Sequence, residues 1–278
     1  MKKTVYLITL AAAVAIFADT RVKLSGGQLI RAWDNDLPSE SNPGVIDIKG
    51  TWQVPGSFDG WVGTQKSGVI AGALKSITFR NGAKWRLEGG QILCRDGSTG
   101  KAHVRVGDSD SAGELIMTGG EIIADTYFDV GFNSLFRQSG GSVTGVAGCR
   151  FSHGGKIFIE GGIGTFSRMA LASPDTQVEF SGGTWKASKP LEFAGSTTPN
   201  TVIRFAEGNG SLSVGGIEMA GSGCIDFVTG SKGTFAVKGY KEADFEKLWD
   251  RGKLKFNGSS RGAFSDIFAV EKDTLSLK

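Results

Sequence analysis

Acidic and basic side chains recur at polar positions of this sequence with a spacing that could support chemistry. Asp125, Asp129, Arg150 and Glu192 lie among alternating apolar residues, and Asp129 and Arg150 are 21 residues apart. Paired carboxylates can perform acid–base chemistry on glycosidic bonds, and clustered carboxylates can bind calcium. Opposite charges on adjacent strands also stabilise a sheet directly. We expect a salt bridge between Asp129 and Arg150, with catalysis as the alternative.

Two pairs of aspartates lie in segments typical of loops. Asp108 and Asp110 belong to "GDSDSAG", and Asp34 and Asp36 belong to "WDND". Calcium takes about six to eight oxygen ligands, and neither segment supplies further carboxylates. Because Asp and Gly are common turn residues, we interpret both segments as solvated turns. The sequence therefore predicts no metal site and no cofactor.

The other reactive side chains form no recognisable catalytic set. His103 and His153 are the only histidines, and His153 has no serine or carboxylate in register for a nucleophilic triad. The segment "GSTGK" at residues 97–101 lacks the rest of a phosphate-binding loop. We predict no catalytic residue, and the sequence assigns no binding residue.

The three cysteines, Cys94, Cys149 and Cys224, are an odd number and form no Cys-x-x-Cys motif. We expect them to be small buried side chains. Cys149 and Cys224 each lie nine residues after the first glycine of a glycine pair. This spacing predicts that both face inward from one column.

A repeated element must position these side chains, and glycine pairs mark it. Four pairs follow one another at a constant spacing of 21 residues, beginning at Gly119, Gly140, Gly161 and Gly182. Others begin at Gly26, Gly89 and Gly215. Within each window apolar and polar residues alternate, as in a half-buried strand. We predict an all-β fold: a right-handed, single-stranded parallel β-helix, a solenoid of about 21 residues per coil, with a short helical C-terminal cap.

Each glycine pair is expected at a corner, because glycine adopts positive φ and lets a neighbouring coil approach closely. In the third window the inward positions hold only Gly or Ala, whereas larger apolar residues lie one position away: Phe166, Met169 and Leu171. We expect a one-residue register slip there. The wider steps around "GDSDSAG" and "GSTTPN" predict protruding loops.

Composition limits the classes of function. The chain has 278 residues, a net charge of +3 and no block of Lys and Arg, which argues against nucleic acid as a partner. Phenylalanine outnumbers tyrosine by 18 to 3, which suits a dry interior because a phenyl ring has no hydroxyl to satisfy. Trp52 and Trp61 lie near Gly and Pro, where they could stack on sugars, but we expect them to fill the core.

The two ends differ from the repeat. Residues 1–18 have a basic start, an apolar run and small residues, and are predicted to be a signal peptide; a buried first helix is the alternative. The run is too short to span a bilayer, and we expect the mature chain not to span a membrane. We assign residues 19–237 to the β-helix with N-terminal capping coils. Residues 238–278 form the predicted C-terminal cap, whose helix carries Phe245, Leu248 and Trp249 on one face and ends at Gly252.

Units such as "FRQSGGSVTG" and "VEFSGGTW" resemble those of autotransporter-associated β-strand repeat proteins, and the resemblance covers roughly residues 85 to 217. It implies an exported bacterial surface protein with a right-handed β-helical passenger. Autotransporters end in a membrane barrel, and the last forty residues lack its alternating ten-residue strands. We therefore expect a secreted or surface-attached relative.

This resemblance favours an adhesin-like or structural binding protein, with surface glycans or another protein as partner and an undefined oligomeric state. The alternative is a polysaccharide lyase or glycoside hydrolase of the pectin lyase-like β-helix type. Such an enzyme should have a groove along one sheet, lined by carboxylates with Arg or Lys from three adjacent coils. A flat outer face with Ser, Thr and lone charges favours the binding protein.

Overall fold

The computed structural model describes residues 21–25, 44–54, 56–73, 76–95, 102–193 and 200–278. The expected signal peptide, Asp34, Asp36, residues 97–101 and most of "GSTTPN" lie outside this part. The described chain is a parallel β-solenoid of about eight turns with about 22 residues per turn, which confirms the predicted all-β β-helix. Its right-handedness stays a prediction.

Three faces make up each turn, and each face is a ladder of parallel strands. Four long strands contribute only their first parts to the first face: β2 (Gly44–Val54), β4 (Val62–Ala73), β15 (Lys156–Phe166) and β17 (Gln177–Phe193). The other strands of this face are β1 (Arg21–Ser25), β6 (Ala83–Leu87), β9 (Gly113–Met117), β12 (Leu135–Gln138), β18 (Val202–Phe205), β20 (Cys224–Phe227) and β22 (Leu254–Phe256).

The second face continues four of these strands around a corner. It contains the later parts of β2, β4, β15 and β17, the start of β19 (Ser211–Met219), and β7 (Gln91–Arg95), β10 (Glu121–Ala124), β13 (Ser142–Gly145) and β21 (Thr234–Val237).

The third face carries Arg105, Asp129 and Arg150 in register on successive turns. It contains the ends of β17 and β19, together with β3 (Ser57–Asp59), β5 (Ile77–Arg80), β8 (Val104–Val106), β11 (Tyr127–Val130), β14 (Gly148–Phe151) and β16 (Met169–Leu171).

The glycine pairs stack at the corner between the first and second faces. Gly141 has φ +70°, and a Cβ built on it would overlap the carbonyl oxygen of Gly120 in the preceding turn. A Cβ on Gly140 would overlap the carbonyl oxygen of Thr118. The pairs from residues 89, 119, 140, 161 and 182 share this corner, as predicted, because only a bare backbone fits between successive turns there.

Stacked apolar side chains fill the interior. Phe205 lies between Phe180 and Phe227, with ring centroids 5.5 and 4.5 Å away and interplanar angles of 19° and 16°. All three cysteines are buried, as predicted, and none of them is in a disulfide. Trp61 also packs inward, edge-on against Phe58 at 4.8 Å, whereas the side chain of Trp52 lies outside the described part.

The predicted register slip occurs, but over a shorter segment than expected. Cys149 pairs with Met169, one position short of the repeat spacing, and Met169 pairs with Leu191, one position beyond it. The strand register therefore shifts by one residue at Met169 and returns to the repeat spacing at Leu191, on the next turn. Gly164 and Phe166 stay in register and face inward. The indole of Trp185 occupies the space that a Gly164 side chain would need.

One prediction about the columns is wrong. Gly216 pairs with Pro190, so the pair at residue 215 lies at the corner between the second and third faces. Cys149 lies on the third face, opposite Phe128, whereas Cys224 pairs with Val202 on the first face. The two cysteines do not share a column, because nine residues after this later corner is a different point of the turn.

The C-terminal segment ends the solenoid with two helices and a hairpin. These are α1 (Glu242–Asp250), α2 (Phe264–Ile267), β23 (Phe268–Glu271) and β24 (Thr274–Leu277). Phe245 and Trp249 of α1 are buried, and Gly252 follows the helix at φ +66°. β24 pairs antiparallel with β21, the last second-face strand. Among the described residues no helix combines the length and apolar character needed to cross a membrane.

Candidate functional site

The outer surface of the third face is organised in three columns. A charged column contains Arg105, Asp129 and Arg150 on successive turns, followed by Ala170 and Glu192. On one side lies a column with His103, Tyr127, Gly148 and Arg168. On the other lies a column of small residues that continues the same ladder through backbone hydrogen bonds: Gly107, Gly131, Ser152 and Ala172.

Asp129 is the centre of the charged column. Arg150 donates from Nε to Oδ1 and from Nη2 to Oδ2, both at 2.8 Å, which confirms the predicted salt bridge. Nδ1 of His103 lies 3.0 Å from Oδ2, and Nε of Arg105 lies 3.4 Å from the same oxygen. Nη2 of Arg150 also lies 3.3 Å from this Nδ1. Because an ionised carboxylate only accepts hydrogen bonds, a hydrogen bond to Asp129 requires the His103 proton on Nδ1.

Aromatic packing holds the cationic partner in place. The guanidinium carbon of Arg150 lies 4.2 Å from the ring centroid of Tyr127, and Tyr127 stacks on His103 at 5.6 Å. Gly148 pairs directly with Tyr127 and has no side chain that would cover this ring. Arg150 is therefore fixed by a bidentate salt bridge and a cation–π contact together.

The electrostatics keep this pair ionised. Burial alone would raise the pKa of Asp129, but hydrogen bonds from Arg150 and His103 outweigh it, so the pKa lies below the ordinary aspartate value. The hydrogen bonds to Asp129 raise the pKa of Arg150. The Asp129 side chain is only 16 % exposed. A carboxylate held in this way is not protonated near neutral pH and is a poor general acid.

A cleft of about 400 Å³ opens beside the charged column, above the small residues. Arg105, Asp129 and Arg150 form one side, so three adjacent turns contribute charged groups. The protruding loop after β8 contributes Asp108 and Ser109, and the cleft exists because the small-residue column has almost no side-chain bulk. Further lining residues are Ser152, His153 and Ser173.

Asp108 is also engaged. Its Oδ2 accepts from Nη1 of Arg80 at 3.2 Å, and its Oδ1 accepts from the backbone N–H of Ser109 at 2.8 Å. Nε of Arg80 donates in turn to Oδ1 of Asp59 at 2.6 Å. Within the described residues, no three His, Cys, Asp or Glu side chains come together as a metal site.

The other sequence candidates lie away from the cleft. Asp110 is exposed in the loop, and Asp125 follows β10 at the next corner. Glu192 pairs with Arg168 at 3.0 Å. His153 does line the cleft, in a turn at φ 51°, but its imidazole makes no hydrogen bond or ion pair within the described part of the chain.

Sequence reasoning missed Arg105, and it did not connect His103 with Asp129. Both residues precede Asp129 by more than the repeat spacing, since Arg105 pairs with Asp129 across the turn that contains the protruding loop. The signal was the repeated apolar–charged–apolar triplet: "VRV", "FDV" and "CRF" at the ends of β8, β11 and β14.

The fold and site thus define a parallel β-solenoid with a charged cleft on one face. No protein-family model matches the chain, and no curated protein or solved structure matches it.

Proposed function

We propose that this chain is an exported bacterial surface or extracellular protein with an adhesin-like binding role, and that the cleft on the third face receives a glycan. The observation that carries the proposal is the saturation of Asp129: its oxygens are occupied by Arg150 and His103, while the cleft beside it is lined by serines. Such a site offers fixed polar groups for binding, and its central carboxylate is not free to act as an acid or base.

Export is supported by the sequence of residues 1–18 and by the resemblance to autotransporter-associated repeats. Lys2 and Lys3 precede an apolar run and small residues, the arrangement of a signal peptide. Secretion of a tagged full-length chain, with loss of the first residues detected by mass spectrometry, tests this part of the proposal.

Glycan binding is tested on an array of neutral and acidic polysaccharides with a variant that fills the cleft. Gly131→Leu suits this purpose, because Gly131 is not at positive φ and a Cβ there would meet nothing closer than the flexible Ser152 hydroxyl, at 3.3 Å. Thr165→Leu on the second face is the matched control, since Thr165 is exposed and distant in register. We expect wild type and the control to bind glycans and Gly131→Leu to lose this binding. Glycan binding that is unaffected by Gly131→Leu contradicts the proposal.

A polysaccharide lyase or hydrolase is the second candidate. One observation favours it: charged groups from three adjacent turns line a groove, as the enzyme alternative requires. Release of reducing ends or unsaturated products from a polymer, with and without calcium, would establish the enzyme and reverse this order.

A further inference from the structure

The cleft contains more hydrogen-bond donors than its own acceptors use. Both oxygens of Asp129 and both oxygens of Asp108 accept hydrogen bonds. Arg105, by contrast, approaches Asp129 only at 3.4 Å and makes no hydrogen bond within the described residues. Its side chain is 33 % exposed, and Arg105 lines the cleft. Arg105 is therefore a cation of the cleft that donates no hydrogen bond to the described residues.

Arg150 cannot take the role of Arg105. Two of its nitrogens are committed to Asp129, and its guanidinium rests on Tyr127. Arg105 has the donor geometry that suits planar oxyanions, since a guanidinium presents parallel N–H groups. Asp129 holds Arg105 from one side and leaves its remaining donors for a ligand.

We infer that Arg105 is the anion subsite of the cleft and that the ligand is an acidic glycan carrying carboxylate or sulfate groups. This inference rests on the proposed glycan-binding function and names its ligand class. Ser109, Ser152 and Ser173 line the same cleft, and a serine hydroxyl can both donate to and accept from sugar hydroxyls. The small-residue column spans four turns, roughly 14 Å at the usual strand separation, which suits an extended chain.

The test compares affinities of the full chain for four immobilised polymers: polygalacturonate, dextran sulfate, neutral dextran and poly-L-glutamate. Wild type is expected to bind one or both acidic glycans. Arg105→Gln should weaken that binding roughly 10- to 100-fold, the effect of losing hydrogen bonds to a charged group. The carboxylated and sulfated arms identify the anion.

Two further variants keep the result interpretable. Arg105→Lys retains the charge without the fork and should bind with intermediate affinity, while its melting curve shows whether the site stays folded. Arg86→Gln removes an arginine from the first face, where it pairs with Glu88 at 2.9 Å, and should bind like wild type. Equal loss in Arg86→Gln would indicate general charge attraction and overturn the subsite.

The outcomes separate the two proposals. Binding of neutral dextran that is insensitive to Arg105→Gln retains the glycan function and overturns the anion subsite. Binding of poly-L-glutamate as tight as that of the acidic glycans would make the partner an acidic protein and overturn the ligand class. If no polymer binds wild type, the proposed function fails and the inference fails with it.

Discussion

Asp129 accepts hydrogen bonds from side chains on both neighbouring turns, and its environment sets its role. Asparagine keeps one accepting oxygen but removes the charge, and its NH2 group replaces an oxygen that accepts from Arg150 or His103, in a site where Asp129 is only 16 % exposed. We expect Asp129→Asn to lower the free energy of unfolding by about 1.5–3 kcal/mol, measured by urea denaturation. Glu160→Gln is the control, because the Arg137–Glu160 pair is at the surface and should contribute less than about 1 kcal/mol. Equal effects would contradict a special role for Asp129.

The same carboxylate makes stability depend on pH. Its pKa is lower in the folded chain than in the unfolded chain, so its stabilisation is complete above the unfolded value of about 3.9 and is lost as the pH falls through the folded value. Denaturation at several pH values should show wild type losing its advantage over Asp129→Asn below about pH 4. A difference between the two proteins that stays constant to lower pH would show that Asp129 has an ordinary pKa.

At the level of single residues, the sequence predicted the Asp129–Arg150 salt bridge but not the other side chains around Asp129. The Asp129–Arg150 pair follows from the repeat spacing, because the two residues are separated by one turn of the regular length. His103 and Arg105 lie on the other side of a loop that lengthens their turn beyond the repeat spacing. A constant repeat spacing cannot align strands on the two sides of such an insertion. Matching the apolar–charged–apolar triplets "VRV", "FDV" and "CRF" does align them.

Among the elements, the glycine corner combines two separable constraints. Gly141 has both positive φ and a close backbone neighbour, Gly140 has the close neighbour, and Gly239 has φ +79° with nothing within 4 Å of a Cβ. We expect Gly239→Ala to cost about 1–2 kcal/mol from strain alone, and Gly141→Ala to cost roughly 2–5 kcal/mol because overlap adds to strain.

Thermal and urea unfolding of the three alanine variants measure these terms. Gly140→Ala isolates the overlap with Thr118, since Gly140 is not among the glycines at positive φ. If Gly141→Ala and Gly239→Ala are equally destabilised, close stacking of turns does not explain the glycine pair. The strain of the left-handed conformation would then be enough to explain the requirement for glycine at this corner.

The strand elements were largely predictable, and the exceptions have physical reasons. Alternation and the glycine pairs fixed the coils, but the pair at residue 215 serves a different corner and misled the register. The corner between the third and first faces also repeats, with left-handed residues of several types: Asn81, Asn133, His153, Asp175 and Asn200. Its spacing varies from turn to turn, so periodicity did not reveal it. The same corner accounts for the backbone of His153 without a functional cause.

For the whole molecule, the structure at the ends of the solenoid determines whether one chain can pair edge to edge with another. A parallel ladder leaves unpaired N–H and C=O groups on its last strand, which can pair with another chain. β24 covers the last second-face strand in antiparallel pairing, with Phe235 opposite Leu275 and Ala236 opposite Thr274. The described hairpin therefore blocks continuation of this ladder, alongside the short C-terminal helix that the sequence predicted.

Removing residues 264–278 should expose that edge and the apolar residues beneath it. Light scattering and sedimentation velocity over a range of concentrations are expected to show self-association of the truncated chain. Phe264→Ala is the control, because it removes a buried ring that stacks on Phe268 at 5.3 Å but keeps β24 in place. It should lower stability by about 3–5 kcal/mol without association. Association of Phe264→Ala to the same extent would mean that loosened packing, and not an uncovered strand edge, drives the contact between chains.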